Sequence, residues 1–340
     1  MKRERLVYLD YLRVIATIFV IGVHTVSLGA SLVQERSAEW YGFEVADYLF
    51  LCCNLLFVMI SGALLLPVEG ERAGIFYKKR FTKVLVPMVL YYILYVCAKE
   101  GIEWIFPDHW LKLLHRILTG APEEAPHFWL IYVILWLYVL TPAIRCLLQH
   151  IPEGVLDVLV IVIVVVHTLY TYVEPLYGSR ILGGIVDSFV GVFIIGYFLT
   201  KEHGKGVRYG IYALGVVSVV AAVRHIFSGA AYERYIFNNA PLMVWYAMAV
   251  FLLVKEVLKK KTDEPVFVKV VSRYSFGILL IHWGVLHYVV KQLLHVNVTV
   301  GYGIVGSVCM IVLTMAISLA GAALLDHVLI APVLKLLNRF

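Results

Sequence analysis

Two side chains in the first apolar stretch of the sequence could do chemistry together, one as a fixed cation and the other as a titratable base. Arg13 is a permanent cation, and His24 carries an imidazole that exchanges protons near neutral pH. On an α-helix their separation is about three turns and about 16 Å, so both lie on nearly the same face. Asp10, one turn before Arg13, can pair with the cation. The structural alternatives are an ion pair that joins helices and a hydrogen-bonded core histidine.

The stretch that carries these groups is itself a membrane span. An ionisable side chain at the bilayer centre costs at least ~2.5–3.5 kcal/mol, which makes each one a functional candidate. Hydrophobic residues make up 61% of the chain and charged residues 15%, against roughly 45–50% and 25% in soluble domains. This composition predicts a polytopic membrane protein and excludes soluble enzymes, disordered chains and secreted scaffolds.

Ten apolar segments are long enough to cross about 30 Å of hydrocarbon as helices. They lack the strict alternation of barrel strands, so the predicted fold class is an all-α polytopic membrane protein with about ten transmembrane helices. The segments are 6–28, 45–67, 84–106, 128–148, 154–173, 183–200, 207–227, 240–258, 274–294 and 301–325.

The orientation of the chain follows from its Lys and Arg residues. With a cytoplasmic N-terminus, the inside segments carry 19 of them and the outside segments 8, which predicts that both termini are cytoplasmic. The net charge of +6 is therefore assigned to topology, and no nucleic-acid partner is expected. The five cysteines contain no CxxC pair, so neither a disulfide framework nor a metal site is predicted. The outside connection 107–127 has the pattern of a short interfacial helix.

Five short patterns, in order along the chain, resemble the acyltransferase 3 family of integral-membrane acyltransferases. The first is the Arg13–His24 spacing, which is the family's first-helix signature. The others are the Ile-Ser-Gly run of 57–65, the basic stretch 76–83 before Pro87, the His-Phe-Trp-Leu-Ile-Tyr run of 127–132, and the Ser-Phe-Gly of 275–277 before His282. The likeness spans about 8–290 and implies one membrane-embedded acyltransferase domain, 1–340, in the bacterial cytoplasmic (inner) membrane.

The family resemblance implies a reaction and a role for each candidate residue. An acyl group, expected to be acetyl, would pass from cytoplasmic acyl-CoA to a hydroxyl of an outer-face glycan or lipid-linked glycan. His24 would be the general base for direct attack on the thioester, or would carry the acyl group as an acyl-histidine intermediate, and Arg13 would bind a donor phosphate or orient the thioester. Donor-binding candidates are Arg80, Lys83, Lys79 and Ser61; acceptor-side or supporting candidates are His127, Trp129, Tyr132, Asp10 and His282.

The sequence also departs from the family pattern and allows a rival function. Lys83 stands where a second arginine is usual, so a guanidinium fork is replaced by a point charge that still binds phosphate. Acetyl-CoA would act as a substrate, and no metal is expected. The rival is a transporter or flippase that uses Arg13 and His24 as a coupling site, although no internal repeat is visible.

Overall fold

The computed structural model describes residues 6–121, 123, 125–152, 154–173, 176, 188–228, 238–298 and 303–337. Within these ranges the chain forms helices and no strands. The helices are α1 (Val7–Ala30), α2 (Ala38–Leu51), α3 (Cys53–Leu65), α4 (Ala73–Glu100), α5 (Pro107–Thr119), α6 (Trp129–His150), α7 (Val155–Tyr172), α8 (Val190–Phe198), α9 (Lys205–Ser228), α10 (Pro241–Leu258), α11 (Val266–Gly284), α12 (Gly303–Leu325) and α13 (Ala331–Leu337). Two π-helical segments, Val285–Leu293 and Asp326–Ile330, follow α11 and α12.

The prediction of an all-α polytopic membrane protein is confirmed. Nine helical segments of the described chain are long and apolar enough to span a bilayer. The predicted span 183–200 contains α8 in its described part, and residues 183–187 lie outside the described residues. The cytoplasmic position of the termini and the single domain 1–340 stay predictions.

Two predicted helix boundaries were wrong. The third span was expected to begin at residue 84, but α4 begins at Ala73 and takes the basic stretch into its first turns. Lys and Arg are good helix formers, and their long side chains reach water from a helix end. The second span is two helices, α2 and α3, which meet at Cys52.

The chain divides by its contacts into two compact units. The first, unit 1, comprises residues 1–69 and 141–272. In it α1 packs on α2, α3 and α10, and α3 packs on α8. Two glycines allow that last approach: a Cβ on Gly62 would lie 1.8 Å from the Phe193 carbonyl oxygen, and one on Gly196 would lie 2.0 Å from that of Met59. Small residues bring membrane helices into backbone contact in this way.

The second unit, unit 2, comprises residues 70–140 and 273–340. Its core is rich in aromatic side chains from α4 and from the start of α6, including Tyr91, Tyr92 and Phe128. Gly277, from the Ser-Phe-Gly pattern, lies against α12, where an added Cβ would be 2.9 Å from Ala322 Cβ. That glycine therefore has a packing role.

Candidate active site

An ion pair with one buried partner lies near the start of α1 in unit 1. Arg13 Nη1 donates to Asp10 Oδ1 at 2.7 Å. The Ser272 hydroxyl donates to the same carboxylate oxygen at 2.5 Å, and Arg13 Nη1 lies 3.4 Å from Ser272 Oγ. Asp10 is buried, whereas the Arg13 side chain keeps 28% of its exposure. Asp10 thus holds one edge of the Arg13 guanidinium, and another part of the side chain stays accessible to a ligand.

His24 lies on the same helix, about three turns further along, and is half-buried. The backbone between the two residues is regular helix, so the shared face predicted from the spacing is present. One turn beyond His24, Ser27 donates to the buried Asp47 of α2 at 2.7 Å. Unit 1 thus holds a second intramembrane carboxylate, which Ser27 connects to the helix of the candidate base.

Ser61 belongs to α3, the helix that meets α8 through Gly62. Its hydroxyl donates to the Phe57 carbonyl at 2.9 Å, within its own helix. Ser61 is half-buried, and its oxygen keeps its acceptor capacity.

The predicted donor-binding cations of unit 2 lie on the first turns of α4. Lys79 and Lys83 are exposed, and Lys79 Nζ lies 3.9 Å from Glu71 Oε1. Arg80 is half-buried, and its Nε is buried without a hydrogen-bond partner among the described residues. A buried guanidinium N–H left unsatisfied is costly, so this group is suited to an anionic ligand.

Two predicted histidines, His127 and His282, meet in the core of unit 2. Their ring centroids are 4.7 Å apart at an interplanar angle of 66°. His127 Nε2 lies 3.2 Å from the Leu280 carbonyl oxygen, and His282 Nδ1 lies 2.8 Å from that of Leu279. Carbonyl oxygens only accept, so these nitrogens carry the protons, and each neutral ring presents its other nitrogen as an acceptor.

The helix that carries His282 receives a tyrosine hydroxyl from α4 at its C-terminal end. The Tyr95 hydroxyl accepts from Gly284 N–H at 3.0 Å and lies 3.1 Å from the Leu280 carbonyl oxygen. It therefore stands between two groups that are four residues apart, where an α-helix would close its own hydrogen bond. The π-helical segment begins directly after Gly284. Single π-helical turns inside helices are frequent at functional sites.

The other acceptor-side candidates open α6. Trp129 is half-buried at its first residue. The Tyr132 hydroxyl is engaged with α5, where it reaches the carbonyl oxygens of Ile117 at 2.7 Å and Gly120 at 2.8 Å. Its observed contact is therefore with the protein's own backbone.

The site residues thus fall into two groups, one in each unit. Unit 1 brings together Asp10 and Arg13 on the helix of His24, while unit 2 brings together His127 and His282. Sequence reasoning missed Ser272, Asp47 and Tyr95. An intramembrane carboxylate was a usable signal for Asp47, whereas Ser and Tyr are too common in membrane helices to mark the other two. In the described part of the chain, no cluster of three His, Cys, Asp or Glu side chains is placed to hold a metal ion.

These features define a polytopic helical membrane protein with polar groups fixed inside its spans. The sequence model of the acyltransferase 3 family, described as an acyltransferase domain, matches residues 6–326. The chain belongs to this family and is a membrane acyltransferase. No curated protein and no solved structure matches it.

Proposed function

We propose that this protein moves an acyl group, expected to be acetyl, from cytoplasmic acyl-CoA to a hydroxyl of an outer-face glycan or lipid-linked glycan. The setting would be the bacterial inner membrane. The observation that carries the proposal is the Asp10–Arg13 pair, with its arginine still 28% exposed, on the helix face that also bears His24. A cation that is fixed but reachable, and a proton acceptor deeper in the same helix, are what such a transfer requires.

The proposed chemistry uses His24 as general base. Its neutral imidazole takes the proton of the acceptor hydroxyl while the hydroxyl oxygen attacks the thioester carbon. The new C–O bond forms, the C–S bond breaks, and the CoA thiolate leaves and becomes the free thiol on protonation. Arg13 holds the donor by a charge-assisted contact to its phosphate or thioester oxygen, and Asp10 keeps the guanidinium in place.

Donor phosphates would also bind to the first turns of α4. Arg80 is the strongest candidate, because its buried Nε lacks a partner among the described residues. Lys83 and Lys79 add exposed charge on the same turns. Ser61 would accept or donate a hydrogen bond to the pantetheine arm. Positive-inside charge explains the lysines equally well, so the argument rests on Arg80.

Acceptor binding is assigned to unit 2. His127, His282 and Trp129 lie around the start of α6 and the C-terminal end of α11. Imidazoles with fixed tautomers and an indole face suit a sugar ring and its hydroxyls. Tyr132 would support this region through its hold on α5.

The test is thiol release from acetyl-CoA by the purified protein in lipid nanodiscs, with candidate glycan acceptors. His24→Gln should lower turnover by about 100-fold or more, since general base catalysis contributes about 10²–10⁴-fold, and should leave acetyl-CoA binding intact. Arg13→Ala should weaken donor binding. His150→Gln is the matched control, because that ring contacts the Cys146 carbonyl of its own helix.

Two outcomes would contradict the proposal. Wild-type turnover in His24→Gln would remove the assigned base. Acceptor movement across the membrane without any thiol release would favour the transporter or flippase, in which Arg13 and His24 serve as a coupling site.

A further inference from the structure

The helix α5 is the one long helix outside the spans that carries a strongly one-sided apolar surface in the described chain. It has 13 residues, about 20 Å, which is too short to cross a bilayer. At about 100° per residue, its six large apolar side chains occupy an arc of roughly 160°. Its charged side chains and histidines fill the opposite side. The apolar residues are Trp110, Leu111, Leu113, Leu114, Ile117 and Leu118.

One half of this apolar arc is covered by unit 2. Leu113 is 6% exposed and belongs to the core cluster that contains Tyr92 and Phe128. Ile117, one turn later, packs against the same cluster. These two contacts fix which way the helix faces.

The other half of the arc has no cover from the described chain. Leu111 is 79% exposed and Leu118 is 74% exposed. Trp110 and Leu114 keep more than half of their surface. The short 3₁₀ turn before α5 continues this surface, with Ile102 at 70%. Contiguous apolar surface of this kind marks an interaction site.

Several contacts hold α5 rigidly in this orientation. The Tyr132 hydroxyl binds two carbonyl oxygens at its C-terminal end. Arg116 Nη1 donates to Glu100 Oε1 at 2.8 Å, and the Arg116 guanidinium lies 5.2 Å from the Trp104 ring centroid. At the other end, Trp110 Nε1 donates to the Ile105 carbonyl at 2.8 Å. The uncovered surface therefore belongs to a helix whose orientation is fixed by unit 2.

We infer that α5 is a membrane-surface helix whose uncovered apolar half, Leu111, Leu114, Leu118 and Trp110, lies in the lipid interface. The occupant is the bilayer, because α5 packs on the core that α4 and α6 share, and the exposed apolar side chains of these two spans, such as Leu94 and Trp136, would lie in lipid as well. Lys112 and His115 on the opposite side stay in water, as in other interfacial helices. The indole of Trp110 suits the head-group level.

The position of α5 in the lipid interface also affects the transfer reaction. This consequence rests on the proposed function. Tyr132 joins α5 to the first turns of α6, the helix that begins with Trp129 beside His127. The depth of α5 in the membrane therefore sets the depth of the acceptor-side residues. A helix lifted out of the interface would carry the start of α6 with it.

The test places a fluorescent amino acid at one position of α5 at a time in nanodiscs. At positions 111 and 118 the probe should be quenched by lipids brominated in their acyl chains and shielded from aqueous iodide. At the matched control positions 112 and 115 the pattern should reverse. Equal iodide quenching at all four positions, or shielding from both quenchers at 111 and 118, would overturn the inference, the latter pointing to a protein partner.

A second arm separates this inference from the proposed function. Leu111→Glu with Leu118→Glu should reduce thiol release in nanodiscs by several-fold, and Lys112→Glu should not. If the probe result is as expected but the double variant releases thiol at the wild-type rate, α5 lies in the interface and its link to catalysis is refuted. No release in the wild-type protein would refute the proposed function alone, because the probe result does not depend on activity.

Discussion

Arg13 Nη1 lies 2.7 Å from Asp10 Oδ1, and the two residues are one turn apart in the first membrane span. The carboxylate is almost fully buried, while the guanidinium is 28% exposed. Ser272 completes the arrangement by donating to the same carboxylate oxygen. The Asp10 carboxylate thus anchors the guanidinium, and the exposed edge of Arg13 is the part available to a ligand.

Replacing the anchor should therefore affect both stability and donor binding. Asp10→Asn leaves Arg13 without its counter-ion and should lower the free energy of unfolding by about 1–3 kcal/mol, reduced from the fully buried case by the exposure of the arginine. Thermal unfolding in nanodiscs measures this. Ser272→Ala removes the hydroxyl that donates to Asp10 and accepts from Arg13, and it should cost about 1 kcal/mol because the ion pair itself remains. Equal stability of Asp10→Asn and the wild type would show that the pair contributes nothing.

The crossing of α3 and α8 should not tolerate added volume. Gly62→Ala would place a Cβ 1.8 Å from the Phe193 carbonyl oxygen, so the helices must separate, at a cost of about 1–3 kcal/mol. The control is Gly210→Ala on α9, where a Cβ meets nothing within 4 Å and alanine should be neutral or stabilising. Similar melting temperatures for the two variants would contradict the close crossing.

The Tyr95 hydroxyl, which contacts α11, should contribute more to stability than the hydroxyl of Tyr91, one turn earlier on α4. Tyr95→Phe leaves Gly284 N–H and the Leu280 carbonyl without the hydroxyl between them and should destabilise the protein by about 1–2 kcal/mol. Tyr91→Phe is the matched control, since its buried hydroxyl has no hydrogen-bond partner in the described chain. Hydrogen exchange at residues 280–284 should rise only in Tyr95→Phe. Identical hydrogen exchange in both variants would show that the Tyr95 contacts with α11 do not stabilise it.

Arg80 should bind the donor more strongly than the lysines around it. Arg80→Gln should raise the KM for acetyl-CoA about tenfold, equivalent to ~1.4 kcal/mol. Lys78→Gln, an exposed neighbour, should change it less than about twofold. Lys83→Arg should be mild, because it restores the family's usual residue and keeps the charge. A larger effect at Lys78 than at Arg80 would indicate a diffuse charge effect.

Ion pairs between Glu202, in the connection from α8 to α9, and the end of α10 should make the stability slightly dependent on acid. Lys255 and then Lys259 lower the pKa of Glu202, whose carboxylate lies 3.5 Å from Lys255 Nζ. A lowered pKa stabilises the fold above the unfolded value of about 4.3, and this contribution is lost as the pH falls through the lower folded value. Glu202→Gln should therefore melt slightly lower than wild type at pH 7, and the difference should be smaller at about pH 3. The side chain is 73% exposed, so the difference should be small. A constant difference at both pH values would refute this origin.

The sequence by itself determined the fold class and one part of the site. Long apolar runs without alternation can satisfy their backbone groups in lipid only as helices, so the all-α membrane fold could be read directly. The spacing of Asp10, Arg13 and His24 is local to one helix, and 3.6 residues per turn fixes their common face. The interfacial pattern of α5 is local in the same sense.

The tertiary structure decided everything that depends on residues distant in the sequence. Ser272 reaches Asp10 across 262 positions, and His127 reaches Leu280 across 153. The half of α5 that is covered, and the contact of the Tyr95 hydroxyl with α11, follow from packing between helices. Helical periodicity shows which face of a helix is apolar. It does not show which other helix that face packs against, because packing depends on the shapes of side chains from several helices at once.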